Sequence, residues 1–143
     1  MIVARLNRDK LQLLADSRLK EAEVLLDKAY WTGAYYLIGL AVECALKAYL
    51  ATAVQQYDFP DKNFVNRAYT HKLKELVQID AVLWERLQKE VSSDVKLRSN
   101  WDTVLGWNDE NRYEIVEEPQ AKSLYSATTE PSSGVMEWIR RRW

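Results

Sequence analysis

From Ala34 to Val54 the chain carries only two charged residues, Glu43 and Lys47. An apolar helix of that length has two homes, a lipid bilayer or the centre of a helical bundle. Two charges at its middle, three tyrosines and no basic flank at its start favour the bundle. A helix read over about Thr32–Val54, with Thr32 as N-cap, is therefore expected to be the buried centre of the fold. Such a helix needs amphipathic partners that cover it, and the rest of the chain has the periodicity to supply them.

The first partner is read over about Asp9–Ala29, where Leu11, Leu14, Leu25 and Ala29 recur at three-to-four spacing, with Arg18 and Ala22 between them. A polar, aromatic loop follows over about Gln55–Tyr69, containing Phe59 and Pro60. Thr70 suits the cap of a short helix over His71–Gln78, and Asp80 the cap of another over Ala81–Val91 with Leu83, Leu87 and Val91 on one stripe. Asp94–Leu105 reads as helical, carrying Val95, Trp101 and Leu105. Gly106–Pro119 reads as a loop with five acids and one arginine, and Pro119 suits the first turn of a helix over Gln120–Thr128. After Pro131-Ser132-Ser133-Gly134, a last stretch over Val135–Trp143 resumes with Val135, Trp138 and Ile139 toward the core. There is no internal repeat and no period-2 alternation. The expected fold class is all-α, a single helical domain over residues 1–143 with the apolar helix at the centre of a bundle, and the short link at Tyr30-Trp31 suits an antiparallel first pair.

Composition excludes several functions. Lys plus Arg number 20 and Asp plus Glu 21, so the net charge is -1 and no global positive field attracts nucleic acid. One cysteine, Cys44, rules out an internal disulfide, and one histidine, His71, rules out a multi-histidine metal centre; no metal and no cofactor are expected. The start, MIVARLNRDK, has no apolar leader, so a cytoplasmic protein without a membrane partner is expected. P-loop, GxGxxG, HExxH, CxxC and GxSxG signatures are absent.

A few residues are left that can carry chemistry. Glu43 and Lys47 stand four apart with the acid first, the favourable order for a helical ion pair, inside an otherwise apolar helix. They are either a structural pair or the base of a ligand site. His71 is the one side chain whose ordinary titration lies near neutral pH, and it could act as a base or simply hydrogen-bond the backbone. Arg112 and Tyr113 sit in the acidic loop after Trp107, where the arginine could order the loop, stack on an aromatic ring or hold a phosphate. Cys44, mid-helix, reads as an inert core thiol. Trp101, Trp107, Trp138 and Trp143 would suit a dimer interface if they clustered on the surface. Arg140-Arg141-Arg142 is too short a run for a nucleic-acid patch.

The segments Arg18-Leu19-Lys20-Glu21-Ala22-Glu23-Val24-Leu25-Leu26, Ala34-Tyr35-Tyr36-Leu37 and Ala41-Val42-Glu43-Cys44-Ala45-Leu46-Lys47-Ala48 resemble a HEPN domain. Tyr69-Thr70-His71-Lys72-Leu73-Lys74-Glu75-Leu76 is similar to that family's short motif after the long loop. Trp107 with Arg112-Tyr113 is similar to its aromatic and arginine-tyrosine element before the last helices. Together these cover about residues 10 to 140.

The resemblance implies an up-and-down bundle of about five helices, led by two long antiparallel N-terminal ones, and a homodimer. It also implies one of three roles: a metal-independent ribonuclease of toxin–antitoxin or defence systems, a non-catalytic partner of a nucleotidyltransferase, or a nucleotide binder. The ribonucleases of the family carry an arginine and a histidine separated by four to six residues. Here positions 64, 65 and 66 hold Phe64, Val65 and Asn66, and Arg67 is one step too close to His71. The expectation is therefore a non-catalytic binding or partner module, with Glu43, Lys47, His71, Arg112 and Tyr113 as its ligand-binding residues. The alternatives are a divergent ribonuclease using His71 with Arg67 or Arg112 on RNA, and a purely structural dimerisation module.

Overall fold

A computed structural model describes residues 6–54, 58–59 and 61–143. Residues 1–5, which belong to the stretch where no leader is expected, lie outside the described residues, as do residues 55–57 and Pro60 of the long loop. The described residues form eight α-helices and one 3-10 turn, and no strand. They are α1 (Arg8–Asp27), α2 (Trp31–Thr52), α3 (Lys62–Ala68), α4 (Leu73–Ile79), α5 (Ala81–Ser93), α6 (Val95–Leu105), the 3-10 turn (Asp109–Tyr113), α7 (Glu118–Thr129) and α8 (Val135–Arg140). The all-α class read from the periodicity is what the chain adopts.

The central element is α2. Its apolar residues bury Ala34, Ile38, Ala41, Val42, Ala45, Leu46 and Leu50, and α1, α4, α7, α8 and the 3-10 turn all pack on it. At 22 residues it is about 33 Å long. By length and composition alone it could cross a membrane. Inside this fold, neighbouring helices cover most of its surface. Small residues along it (Ala34, Gly39, Ala41, Ala45, Ala48) let those neighbours approach closely.

Helix α1 starts one residue earlier than the periodicity suggests, because the Asn7 side chain accepts a hydrogen bond from Lys10 N at 2.8 Å and caps it. Its buried stripe is Leu11, Ala15, Leu19 and Ala22; Leu14 and Leu25 are half-buried and Ala29 is exposed, so the apolar face is rotated from the one read in the sequence. Helix α1 ends in a Schellman turn: Tyr30 N donates to Leu25 O at 2.8 Å and Ala29 N to Leu26 O at 3.1 Å. The residue in the left-handed position is Ala29, with φ of 62°. The turn starts α2 at Trp31, so Thr32 is not a cap. Its Oγ1 accepts instead from Val116 N at 2.9 Å and ties the later loop to the start of α2.

Two stretches read as loops contain helix. Asp61 accepts from Asn63 N and Phe64 N and starts α3 within the 55–69 segment. Asn108 and Asn111 form a reciprocal capping box that starts the 3-10 turn within Gly106–Pro119. Thr70 does not cap α4, which begins at Leu73; its Oγ1 accepts from Lys72 N and donates to Glu75 at 2.6 Å. The Asp80 and Asp94 carboxylates cap α5 and α6, and Pro119 lies in the first turn of α7. Val135, Trp138 and Ile139 are buried, as their spacing suggested, whereas α6 buries Leu97, Trp101 and Val104 and leaves Val95 exposed.

Trp101, Trp107 and Trp138 are in the core, with Trp101 edge-on to Trp138 at 5.5 Å between ring centroids. These three therefore do not join a surface cluster, and Trp143, the fourth indole expected there, is half-buried.

Candidate functional site

Glu43 occupies a position on α2 where its side chain is only 8% exposed. A carboxylate there needs partners, and it has two. Lys47, one turn further along the same face, donates from Nζ to Glu43 Oε2 at 3.2 Å, with its side chain 17% exposed. His71, between α3 and α4, places Nδ1 at 3.2 Å from both carboxylate oxygens. An ionised carboxylate only accepts, so His71 Nδ1 carries the proton and donates it. In the neutral ring the other nitrogen, Nε2, is then the acceptor, and it belongs to a side chain that is 58% exposed. A buried acid thus fixes the tautomer and orientation of an exposed histidine.

Three of the five residues expected to form the ligand site therefore touch one another. Arg112 and Tyr113 stand elsewhere, on the 3-10 turn. The Arg112 guanidinium lies 4.9 Å from the Tyr113 ring centroid, and the influence of Tyr113, then of Tyr36, holds its pKa above the ordinary arginine value. Tyr36 and Glu43 are seven residues apart on α2, hence on the same face and about 10.5 Å apart along the axis. That face, from Tyr36 through Leu40 to Lys47, is half-buried and carries Arg112 at one end and His71 at the other. Arg67 joins neither group. It lines a polar cavity of about 560 Å³ with Asn66, Tyr69, Thr70, Glu75 and Gln78.

Lys47 also borders a groove that the sequence reading missed. Its lining includes Leu11 of α1, Leu50 of α2, Phe64 and Ala68 of α3, and Tyr69, around a volume of about 320 Å³. The missed wall is α3. Its signal was present in Asp61, three residues before Phe64 as an N-cap, with Phe64 and Ala68 at i, i+4. The Lys47 ammonium has three donors and spends one on Glu43, so two remain at the end of an apolar groove.

Cys44, beside Glu43 on α2, is half-buried, and burial first and the Glu43 charge second push its thiol above the ordinary value. That is the inert thiol expected of it. No group of His, Cys, Asp and Glu suited to a metal ion occurs among the described residues. Comparison with protein-family models, with curated proteins and with solved structures finds no match to this chain.

Proposed function

We propose that this chain is a HEPN-like helical domain that acts as a binding module, taking a nucleotide or another phosphate-bearing ligand on the face of α2. One observation carries the reading: the buried Glu43 ties His71 to Lys47, and Lys47 borders an apolar groove. The groove supplies surface for a planar apolar body, while the spare Lys47 donors and His71 supply polar contacts for an anionic group. Arg112, two turns along the same face, is a second cation within reach of an elongated ligand.

The antiparallel α1–α2 pair belongs to this reading. It is supported by the close approach of Leu25 to Gly33 at one end, and by Leu11 and Leu50 sharing the groove at the other. A homodimer and a nucleotidyltransferase partner, in a toxin–antitoxin or defence setting in the cytoplasm, complete it.

A ribonuclease reading has one observation of its own. A carboxylate-oriented histidine with its second nitrogen facing solvent is the arrangement of a general base. It lacks an arginine in hydrogen-bond contact with the Glu43–His71 pair, which a phosphoryl transition state calls for.

The deciding experiment incubates the protein with a mixed RNA pool without metal, beside Lys47→Ala, His71→Ala and Arg112→Ala, and measures nucleotide binding by fluorescence anisotropy on the same samples. Binding that falls in Lys47→Ala, without cleavage, supports the module. Cleavage that disappears in His71→Ala overturns it in favour of the ribonuclease. Neither binding nor cleavage leaves only assembly with a protein partner and rejects the ligand.

A further inference from the structure

Three arginines from two stretches meet beside Tyr49, which lies two residues after Lys47 on α2 and so faces nearly the opposite side of that helix. Arg86 comes from α5, and Arg141 and Arg142 from the residues that close α8. With Tyr49, Val82 and Leu83 they line a cavity of about 240 Å³. The run Arg140-Arg141-Arg142 conceals this arrangement, because Arg140 turns away to Asp16 at 2.6 Å while the other two join Arg86.

Arg142 is the built part. Its side chain is 13% exposed, its guanidinium lies 3.9 Å from the Trp138 ring centroid, and Nη2 donates to both Glu90 oxygens at 3.0 and 2.9 Å. Its Nε is buried with no acceptor among the described residues. Three acids near these arginines are already engaged. Glu90 takes Arg142 and the Trp138 indole, Glu137 takes Arg141 at 3.6 Å, and Asp80 accepts from the Tyr49 hydroxyl and from Val82 N. Arg86 has no hydrogen bond or ion pair among those described. Burial pushes the Arg142 pKa down; Glu90 opposes this, and the Arg86 and Arg141 charges push the same way as burial. Arg142 is spent on Glu90 and, through Nη1, on the Trp138 carbonyl at 2.6 Å, so the donors left for an anion with several acceptor oxygens are chiefly those of Arg86, with the Arg141 and Arg142 charges beside them.

We propose that this cavity is a second anion site, built by Arg86, Arg141 and Arg142 for the phosphate group of a small phosphorylated ligand. Its volume is below the usual range of about 300–1,000 Å³ for whole-ligand pockets, so it takes the phosphate head and leaves the rest of the molecule outside. It shares no lining residue with the groove beside Lys47, and it stands whether or not that groove binds a nucleotide.

The test is calorimetric titration with inorganic phosphate at an ionic strength held constant with chloride. It uses the wild-type chain, Arg86→Ala, Arg141→Ala and Lys47→Ala, with circular dichroism to confirm folding. Arg142 is left intact because Glu90 and Trp138 depend on it. Saturable binding is expected, weakened about tenfold or more in Arg86→Ala; Lys47→Ala removes the groove's own contribution and leaves this binding in place. A second arm titrates glycerol phosphate and adenosine monophosphate, with adenosine as the control. Tighter binding of the esters than of phosphate identifies a phosphomonoester as the ligand, equal binding identifies free phosphate, and binding of adenosine alone overturns the site. Heat no greater than with chloride, or binding lost in Lys47→Ala but kept in Arg86→Ala and Arg141→Ala, also overturns it.

Discussion

Gly39 on α2 and the Trp107 indole occupy adjoining space so closely that a Cβ on Gly39 would lie 1.9 Å from Trp107 Cε2. Trp107 is buried and also meets Tyr36 at 6.0 Å between ring centroids. The indole lies directly on the α2 backbone, and through it the segment bearing Arg112 is seated on the central helix. Gly39→Ala cannot be absorbed by a flexible chain end, because the atoms it meets belong to a rigid ring system. It should destabilise the protein by about 3 kcal/mol, read by urea denaturation followed through tryptophan fluorescence. An unchanged midpoint would mean that Trp107 can leave this position freely.

The Glu43–Lys47 pair makes a prediction about sign. Replacing Glu43 alone with Leu leaves Lys47 confined and unpaired, at a cost of about 3 kcal/mol. The double variant Glu43→Leu with Lys47→Met removes both charges and should recover most of that loss, since buried ion pairs often do no better than apolar replacements. A double-mutant cycle by chemical denaturation measures the difference. The Lys47→Met single variant completes the cycle, and a double-variant loss equal to the sum of the two single losses would show that the charges are not coupled.

Glu130 sets the behaviour in acid. Its carboxylate takes Lys96 at 3.0 Å, the Ser132 hydroxyl at 2.8 Å and the Ser133 backbone N–H. These contacts, Lys96 first, lower its pKa from an ordinary 4.5 to about 2. A carboxyl held lower in the folded chain than in the unfolded one stabilises the fold above pH 4.5, and that contribution is lost as the pH falls toward 2. The stability gap between wild type and Glu130→Gln should therefore be constant near neutrality and close across that window. Urea unfolding at a series of pH values checks this, and a gap that persists at pH 2 would contradict it.

Ala29 pays for its position with backbone strain. It sits at φ 62°, where a side chain crowds the following carbonyl and glycine does not. Ala29→Gly should stabilise the protein by about 0.5–1 kcal/mol, an unusual sign for a glycine substitution, because the Schellman turn already uses the left-handed conformation. Thermal unfolding of the two forms decides it.

Much of the fold was legible because it follows from local rules. The apolar run of α2, the carboxylate caps at Asp80 and Asp94, and Pro119 in the first turn of α7 act within a few residues, so their outcome can be read along the chain. Errors occurred where a side chain of capping type had a distant or different use. Thr32 serves Val116, eighty-four residues away, and Thr70 serves Glu75. The shift of the α1 face from Leu14 and Leu25 to Ala15 and Leu19 has a related cause. Small residues are weak hydrophobic signals in a sequence, yet they are what allows two helices to approach closely.

The candidate site divides in the same way. Glu43 and Lys47 were legible as a pair because a helix brings positions four apart together. That His71 joins them from twenty-eight residues away, that Arg112 stops two turns short of them, and that Arg86 meets Arg141 and Arg142 were decided by tertiary structure alone. Periodicity and capping are properties of neighbours in the chain, so the sequence by itself determined a helical protein with a buried apolar centre. Which charges share a cavity depends on how whole helices pack and where their links place them, and only the folded chain decides that.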